Sequence, residues 1–429
     1  MLRALKKFTL VLFVVIVYDC SANDYDDQKL QQLSRGIGKL SIEILKKVAA
    51  DEENTIFSAY GISSALALCL LGSEGQTRAA LREVLGLASL NDAESLRAFR
   101  DTNRMILGAG SLTEGSNGNL TLSSANAIFA NESLRIRPEF LGQMHEVFED
   151  SLVQSVDFAD DAHGIQKYIN SFVGEATHGR IPDLLSQPLD TQTLLAVVNA
   201  VYYKGSWKTA LKVKQSVEGF NNFPCPTREM QPGPKPQWMT LTSKLRYARS
   251  RTLNAHFLEL PYQSGDNIAV SMILVLPYDG MKCDFSGWIQ RTLDWNLVAE
   301  VLTEMSETRI DLTLPKLKLK GTYDMKKTLT SLGLGVVFSN QASFEAMLSD
   351  QNRPVPISNF LHKAEMSVDE LGTEAAAASG AFLRRRSRPL PAAPPIELVF
   401  DRSFLSMIVV DQNGVSLPLF TAVVNEIVA

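Results

Sequence analysis

A single mixed α+β domain with large antiparallel sheets is the fold class this chain predicts. Three observations carry that expectation. Helix-period apolar patterns fill the first third of the 429 residues, strand-type runs fill the last third, and no low-complexity linker divides the chain before residue 370. There is no internal repeat, and 45% hydrophobic with 21% charged residues is the composition of a globular protein.

The extreme N-terminus reads as a secretory signal rather than as part of the fold. Arg3, Lys6 and Lys7 precede an apolar run from Phe8 to Tyr18, and Cys20-Ser21-Ala22 offers small residues for cleavage. The run is too short to span a bilayer, and no later stretch is long enough. Residues 1–22 are therefore expected to be removed, leaving 23–429 as one secreted domain without a membrane segment. Their loss takes the formal charge from −5 to −7. An acidic chain gives no support for nucleic-acid binding.

Between Gln31 and Ala50 apolar residues recur at three and four (Leu33, Ile37, Leu40, Ile44, Leu45, Val48), which predicts an amphipathic helix. After Asn54-Thr55-Ile56-Phe57-Ser58 comes a helix that is apolar all round through Ala65 to Leu71, and so is buried. Thr77 to Gly86 and Ala93 to Leu107 read as further helices. On the second, Arg97, Arg100 and Arg104 share one face, which is either a solvated stripe or a glycosaminoglycan site. Asn119 to Phe129 reads as a strand, while Arg137 to Phe148 and Gly164 to His178 read as helices. Thr193 to Tyr203 is apolar and β-rich, the pattern of a strand buried on both faces. Asn199 inside it must find hydrogen-bond partners there. Strands follow at Ala255 to Leu260, Ile268 to Leu276 and Arg309 to Leu314, the last running into Pro315-Lys316-Leu317-Lys318-Leu319, then a helix over Tyr323 to Leu332 stopped by Gly333. Ile396 to Phe400, Phe404 to Val410 and Leu419 to Val424 complete the strands.

Cysteines are sparse. Cys69 lies in the apolar helix as a buried thiol, whereas Cys225 and Cys283 could pair in an oxidising compartment. Asn119-Leu120-Thr121 and Asn131-Glu132-Ser133 are glycosylation acceptors in a secreted chain. The five histidines, at 145, 163, 178, 256 and 362, include no paired zinc-ligand motif. A Gly-x-Ser-x-Gly elbow and a phosphate-cradling loop are both missing from the sequence. No catalytic residue, metal ligand or cofactor is expected.

One stretch, about residues 369–395, suits neither a helix core nor an ordinary strand. Small residues from Ala375 to Ala381 feed the run Arg384-Arg385-Arg386-Ser387-Arg388, and prolines from Pro389 to Pro395 carry the chain back to apolar sequence. It reads as an exposed surface loop open to proteases.

The ordered set of segments resembles the serpin family of protease inhibitors over essentially the whole chain after the leader. The resembling pieces include Asn54 to Ser58, Ala65 to Thr77, Thr177-His178-Gly179-Arg180-Ile181, Val198-Asn199 and Lys204-Gly205-Ser206-Trp207. Leu314-Pro315-Lys316, His362-Lys363-Ala364, Val368 to Ala378 and Phe400-Asp401-Arg402-Ser403-Phe404 extend it towards the C-terminus. The resemblance implies a monomer with three β-sheets, about nine helices and an exposed reactive-centre loop. A protease cuts that loop and becomes acylated, and the loop's first part then enters the central sheet. Serpin insertion is a known instance of strand addition driven by released strain.

By the same resemblance, Glu370 and Gly372 match the hinge, and Thr373, Ala375, Ala377 and Ser379 form the inward face of the entering strand at a period of two. Ala376 and Ala378 are small on the other face. The family's spacing from Gly372 places the cut at Arg386-Ser387, with Arg385 as the alternative. Arginine there implies a trypsin-like target with an acidic specificity pocket. Ser58, Asn199 and His362 match the family's sheet-opening shutter, and Trp207 and Lys363 match the breach where insertion begins. Gly61 stands where a serine is common, so part of the buried polar network is expected to be absent or filled by water. Two further readings stay open: a non-inhibitory carrier or chaperone-like binder, and an inhibitor of a subtilisin-like proprotein convertase.

Overall fold

The computed structural model describes residues 27–49, 54–111, 120–214, 237–264, 268–278, 284–349, 354–371 and 394–426. Among the sequence expectations, the leader 1–22, Asn119, Cys225, Cys283, Gly372 to Ser379 and Arg384 to Ser387 lie outside these residues. The described helices are α1 (Asp27–Val48), α2 (Ala59–Gly72), α3 (Gly75–Val84), α4 (Asp92–Ser111), α5 (Pro138–Val147), α6 (Ala162–Ala176), α7 (Phe285–Thr292), α8 (Trp295–Glu304) and α9 (Lys326–Leu329). The strands of the first half are β1 (Thr55–Phe57), β2 (Leu120–Asn131), β3 (Arg135–Ile136), β4 (Ser151–Val156), β5 (Leu195–Gly205) and β6 (Lys212–Lys214). Those of the second are β7 (Trp238–Ser250), β8 (Ala255–Pro261), β9 (Ala269–Pro277), β10 (Ser306–Pro315), β11 (Leu317–Asp324), β12 (Leu348–Ser349), β13 (Ile357–Val368), β14 (Ile396–Val399), β15 (Phe404–Gln412) and β16 (Val415–Val424).

The strands form three sheets, as the resemblance implies. A nine-stranded sheet runs β1-β16-β15-β9-β8-β7-β10-β14 with β6 added on β7; a five-stranded sheet runs β11-β13-β5-β2-β4; β12 and β3 make a small pair. Every residue of α2 is buried, as expected of a helix without a polar face. It packs against β5 and β2 of one sheet and β16 of the other, filling the space between them. Cys69 on this helix is buried, and burial pushes its thiol up to about 12. The outer face of the five-stranded sheet carries a second, smaller core, where Ile169 and Val173 of α6 meet Phe129 of β2 and Ala196 and Val198 of β5.

Three sequence expectations change. Tyr323 and Asp324 belong to β11 rather than to a helix, because the ladder to β13 continues through Asp324 opposite Leu361. The Asp324 carboxylate then accepts the Lys326 N–H (3.0 Å), and the short α9 begins there. Gly333 does end the segment, with a φ of 104° open to glycine. The run through Pro315 to Leu319 is not one strand, since the chain leaves the nine-stranded sheet at Pro315 and enters the five-stranded one at Leu317. Finally β4, β7, β13, α7 and α8 were not expected. In β13 the inward set is Phe360, His362, Ala364, Met366 and Val368, and a buried histidine breaks the apolar alternation that would have revealed it.

Candidate functional site

The site is a seam in the five-stranded sheet. β13 and β5 are parallel neighbours, from Asn359 opposite Ala196 to Met366 opposite Tyr203. Each is antiparallel to its other neighbour, β11 and β2 respectively. A strand entering between β5 and β13 can therefore run antiparallel to both and replace one parallel ladder with two antiparallel ones.

The chain that leaves β13 at Val368 is held at the mouth of this seam. The Trp207 indole N–H donates to the Asp369 carbonyl (2.8 Å), the Trp207 backbone N–H to Leu371 (3.1 Å), and the Leu211 N–H to Glu370 (2.8 Å). Trp207 is itself fixed by a stacked Tyr262 ring at 4.2 Å. The Lys316 ammonium lies 2.5 Å from the Glu370 carboxylate, and its hydrogen bond holds that carboxyl below its ordinary range. Residues just past the end of β5 thus grip the first residues after β13, one step before Gly372.

Halfway down, a line of polar groups, buried except for the half-buried Asn126, crosses three strands on the inner face. The Ser58 N–H donates to His362 Nε2 (2.9 Å). That fixes the tautomer, so His362 Nδ1–H donates to Asn199 Oδ1 (2.7 Å). The Asn199 amide donates onward to Asn126 Oδ1 (2.6 Å). Asn126, Asn199 and His362 are in register on β2, β5 and β13. Ser58 caps α2 by accepting the Gly61 N–H (3.0 Å), while its hydroxyl donates to Leu419 (2.7 Å), the residue skipped by the register shift between β15 and β16. His362 is fully buried, and loss of solvation pushes its pKa down to about 3, so the ring is neutral.

Ser58, Asn199 and His362 are brought together, and Trp207 sits where the loop begins. Lys363 does not join Trp207. It lies one residue from His362 on the opposite face of the sheet, opposite Ala200, and its ammonium donates to the Asp183 carbonyl. The lysine at the mouth is Lys316 instead. The space expected beside Gly61 is also filled: a Cβ there would stand 2.6 Å from Asn199 Oδ1 and from Val201. The Asn199 side chain occupies the room that a serine would need.

Sequence reasoning missed Asn126 and Lys316. Asn126 carried a signal, a lone amide within the strand Ser124-Ala125-Asn126-Ala127-Ile128 that parallels Asn199 in its own strand. Lys316 carried none, because its partner Glu370 is distant in sequence. On α4, Arg100 pairs with Asp101 (2.9 Å), Arg104 pairs with Glu149 (2.8 Å) and the Arg97 guanidinium donates to the Ala93 carbonyl (3.3 Å). That face is partly neutralised rather than a bare cationic stripe. Asn131 is the last residue of β2, its side-chain Oδ1 accepting the Ser133 N–H (3.0 Å), with Glu132 and Ser133 exposed in the turn that follows. Among the described residues no group of three or more His, Cys, Asp or Glu is placed to hold a metal, and no helix is long and apolar enough to cross a membrane.

Comparison with known proteins places this architecture. The family model described as Serpin (serine protease inhibitor) matches residues 35–426. Serpin B10 of Mus musculus is 32% identical over 400 residues, covering 88% of this chain and 96% of its own. Intracellular coagulation inhibitor 2 of Tachypleus tridentatus is 28% identical over 405 residues, covering 94% and 92%. Among solved structures the thermophilic serpin tengpin in its native state superimposes with a TM-score of 0.76 at 23% identity, covering 95% of this chain and 96% of its own.

Proposed function

Because the chain belongs to the serpin family, we propose that it is a secreted, monomeric suicide inhibitor of trypsin-like serine proteases. The observation that carries this reading is the β5–β13 seam with the start of the loop gripped at its mouth. The sequence then supplies a strand fit to enter. Small residues at Thr373, Ala375, Ala377 and Ser379 pass between packed neighbours.

In this mechanism the protease's serine attacks the Arg386 carbonyl, the Ser387 amine leaves, and the enzyme remains as an ester on Arg386. The freed strand can then enter the seam antiparallel to β5 and β13. The fourteen positions from Gly372 to Arg386 extend over about 46 Å at ~3.3 Å per residue. A 407-residue domain has a radius of gyration of about 22 Å. Complete insertion thus carries the attached protease from one pole of the molecule to the other, where its distorted site does not complete hydrolysis.

Incubation with trypsin tests the reading: a complex resistant to SDS should form, and the released C-terminal fragment should begin at Ser387. Clean loop cleavage with no complex at any ratio would sink it in favour of a non-inhibitory binder. A fragment beginning at Arg386 would move the cut to the Arg385–Arg386 bond. The relative's name carries the word intracellular, so secretion needs its own experiment. Expression in a secretory host should release a chain beginning near Asn23, with added mass at Asn119 or Asn131 that an N-glycosidase removes. Acceleration by a glycosaminoglycan through Arg97, Arg100 and Arg104 is read from the same complex assay with heparin added.

A further inference from the structure

Asn131 is the last residue of β2, which lies beside β5 in the five-stranded sheet. Its N–H donates to the Leu194 carbonyl (2.8 Å) and its side-chain amide to the Thr193 carbonyl (3.4 Å), so it is tied to the chain entering β5. The turn that follows is closed by two more bonds. The Ser133 N–H donates to Asn131 Oδ1 (3.0 Å) and the Leu134 N–H to the Asn131 carbonyl (2.9 Å), with Glu132 and Ser133 exposed. Asn131-Glu132-Ser133 is thus an acceptor sequence in a surface turn, the setting that N-glycosylation uses. A sugar on the Asn131 amide replaces one of its two hydrogens, and the other can keep the bond to Thr193.

The contact at the mouth of the seam fixes where an inserted loop would end. There the Trp207 N–H donates to the Leu371 carbonyl (3.1 Å). If the loop runs on from this point antiparallel to β5, each residue forward along it is matched by one residue back towards the start of β5. Arg386, fifteen residues after Leu371, then falls opposite Gln192, fifteen before Trp207. Gln192 is exposed in the turn that leads into β5, where the Thr193 N–H donates to the Asp190 carbonyl (2.9 Å). The residue carrying the protease ester therefore arrives one position from Thr193, which Asn131 touches. Only β5 lies between them, so an inserted strand stands two strand spacings from β2, about 10 Å. A glycan is bulky and a globular protease is several times wider than that gap, so the two claim the same space at this pole.

We infer that an N-linked glycan on Asn131 crowds the landing place of the acylated protease and shortens the life of the final complex. The inference rests on the secreted, inhibitory reading above. With the glycan present the end of the inserted strand seats less completely and the protease is less distorted, so its ester is hydrolysed sooner. In that step water attacks the Arg386 acyl carbon, the protease serine oxygen leaves and regains a proton, and the freed chain ends in the Arg386 carboxylate. The second acceptor, Asn119, serves as an internal comparison. It precedes Leu120, which is opposite Gly205 at the mouth, and the 12 residues of β2 put roughly 40 Å between the two acceptors.

The test uses the full chain secreted from a glycosylating host, with occupancy of Asn131 read by peptide mapping. Complexes with trypsin are isolated and the return of trypsin activity is followed over time. Ser133→Ala removes the acceptor sequence but keeps the Asn131 side chain; its complex should release trypsin about threefold more slowly than that of the unmodified chain. N-glycosidase treatment should have the same effect, while Ser133→Thr and Asn119→Gln should leave release unchanged. In chains made by a non-glycosylating bacterial host, Ser133→Ala should make no difference.

An unoccupied Asn131, or equal release with and without its glycan, would overturn the inference. Equally slow release from Asn119→Gln would overturn it as well, because position at the pole would then be irrelevant. A Ser133→Ala effect in the bacterial chain would do the same by assigning the change to the side chain. Failure of every one of these chains to form a trypsin complex would instead defeat the inhibitory reading on which the inference depends.

Discussion

The two large sheets hold themselves together in different ways. In the nine-stranded sheet β15 lies between β16 and β9, antiparallel to both, and presents Leu405, Met407, Ile408 and Val409 to the core. Its buried polar residues, such as Ser406 and Thr421, are single hydroxyls. In the five-stranded sheet the central pair is parallel, and its inner face carries Asn199 and His362, fully buried, in a hydrogen-bonded line from α2 to β2. Apolar burial has no direction and is lost in proportion to area, so a sheet held that way does not open part-way cheaply. A line of hydrogen bonds contributes little net stability per bond but costs much if left half-made. It holds one geometry closed, and it can be released as a unit when other partners are supplied.

That contrast is open to attack by mutation. The largest effect belongs to the nine-stranded sheet: Leu405→Ala should cost about 2–5 kcal/mol of unfolding free energy, measured by denaturant titration, with little change in how the seam admits a strand. Asn199→Ala strands the His362 Nδ1–H and the Asn126 oxygen, and should cost about 1–3 kcal/mol. Unlike Leu405→Ala, it should also speed uptake of a synthetic peptide of residues Thr373 to Phe382 by the uncleaved chain; equal uptake in the two variants would erase the distinction between the sheets.

Next in size is a pH effect. The folded state keeps His362 neutral down to about pH 3, whereas the unfolded chain protonates it near 6.5. Between those values the unfolded state binds the extra proton, so stability attributable to this ring is complete above about 6.5 and is lost as pH falls towards 3. His362→Gln should flatten the acid limb of the stability curve by up to about 1.4 kcal/mol per pH unit. An unchanged slope would mean that the ring is not held neutral. The smallest effect belongs to the mouth. Lys316 and Glu370 are each 27% exposed, so Glu370→Ala should change global stability by only about 0.2–1 kcal/mol.

Much of the molecule could be read before folding was considered. The helical period from Leu33 to Val48, the wholly apolar α2 and the unbroken run of β5 each announce their element, because burial on one stripe, all round or on two faces leaves a distinct pattern. Asn199 was recognisable as a buried amide in need of partners. β7 and β13 were not legible. β7 mixes buried, half-buried and exposed positions without a regular period, and β13 puts a histidine at an inward position, so neither shows clean alternation. The helix expected at Tyr323 failed for a related reason: pairing with β13 overrides local preference at Tyr323 and Asp324. Lys363 was misplaced because its neighbours in sequence do not tell which end of the sheet it occupies or which face it takes.

By itself the sequence determined the family likeness, and it carries the short apolar run near its start, the small residues from Ala375 to Ala381 and the arginines from Arg384 to Arg388. These are properties of composition and local order, and they survive without knowing which strand lies beside which. Only the tertiary structure decided that β5 pairs in parallel with β13, that Lys316 rather than Lys363 meets Glu370, and that Lys363 reaches the Asp183 carbonyl. Alternation along a strand says which side chains share a face, but register with a partner more than 150 residues away is set by the packing of the whole core.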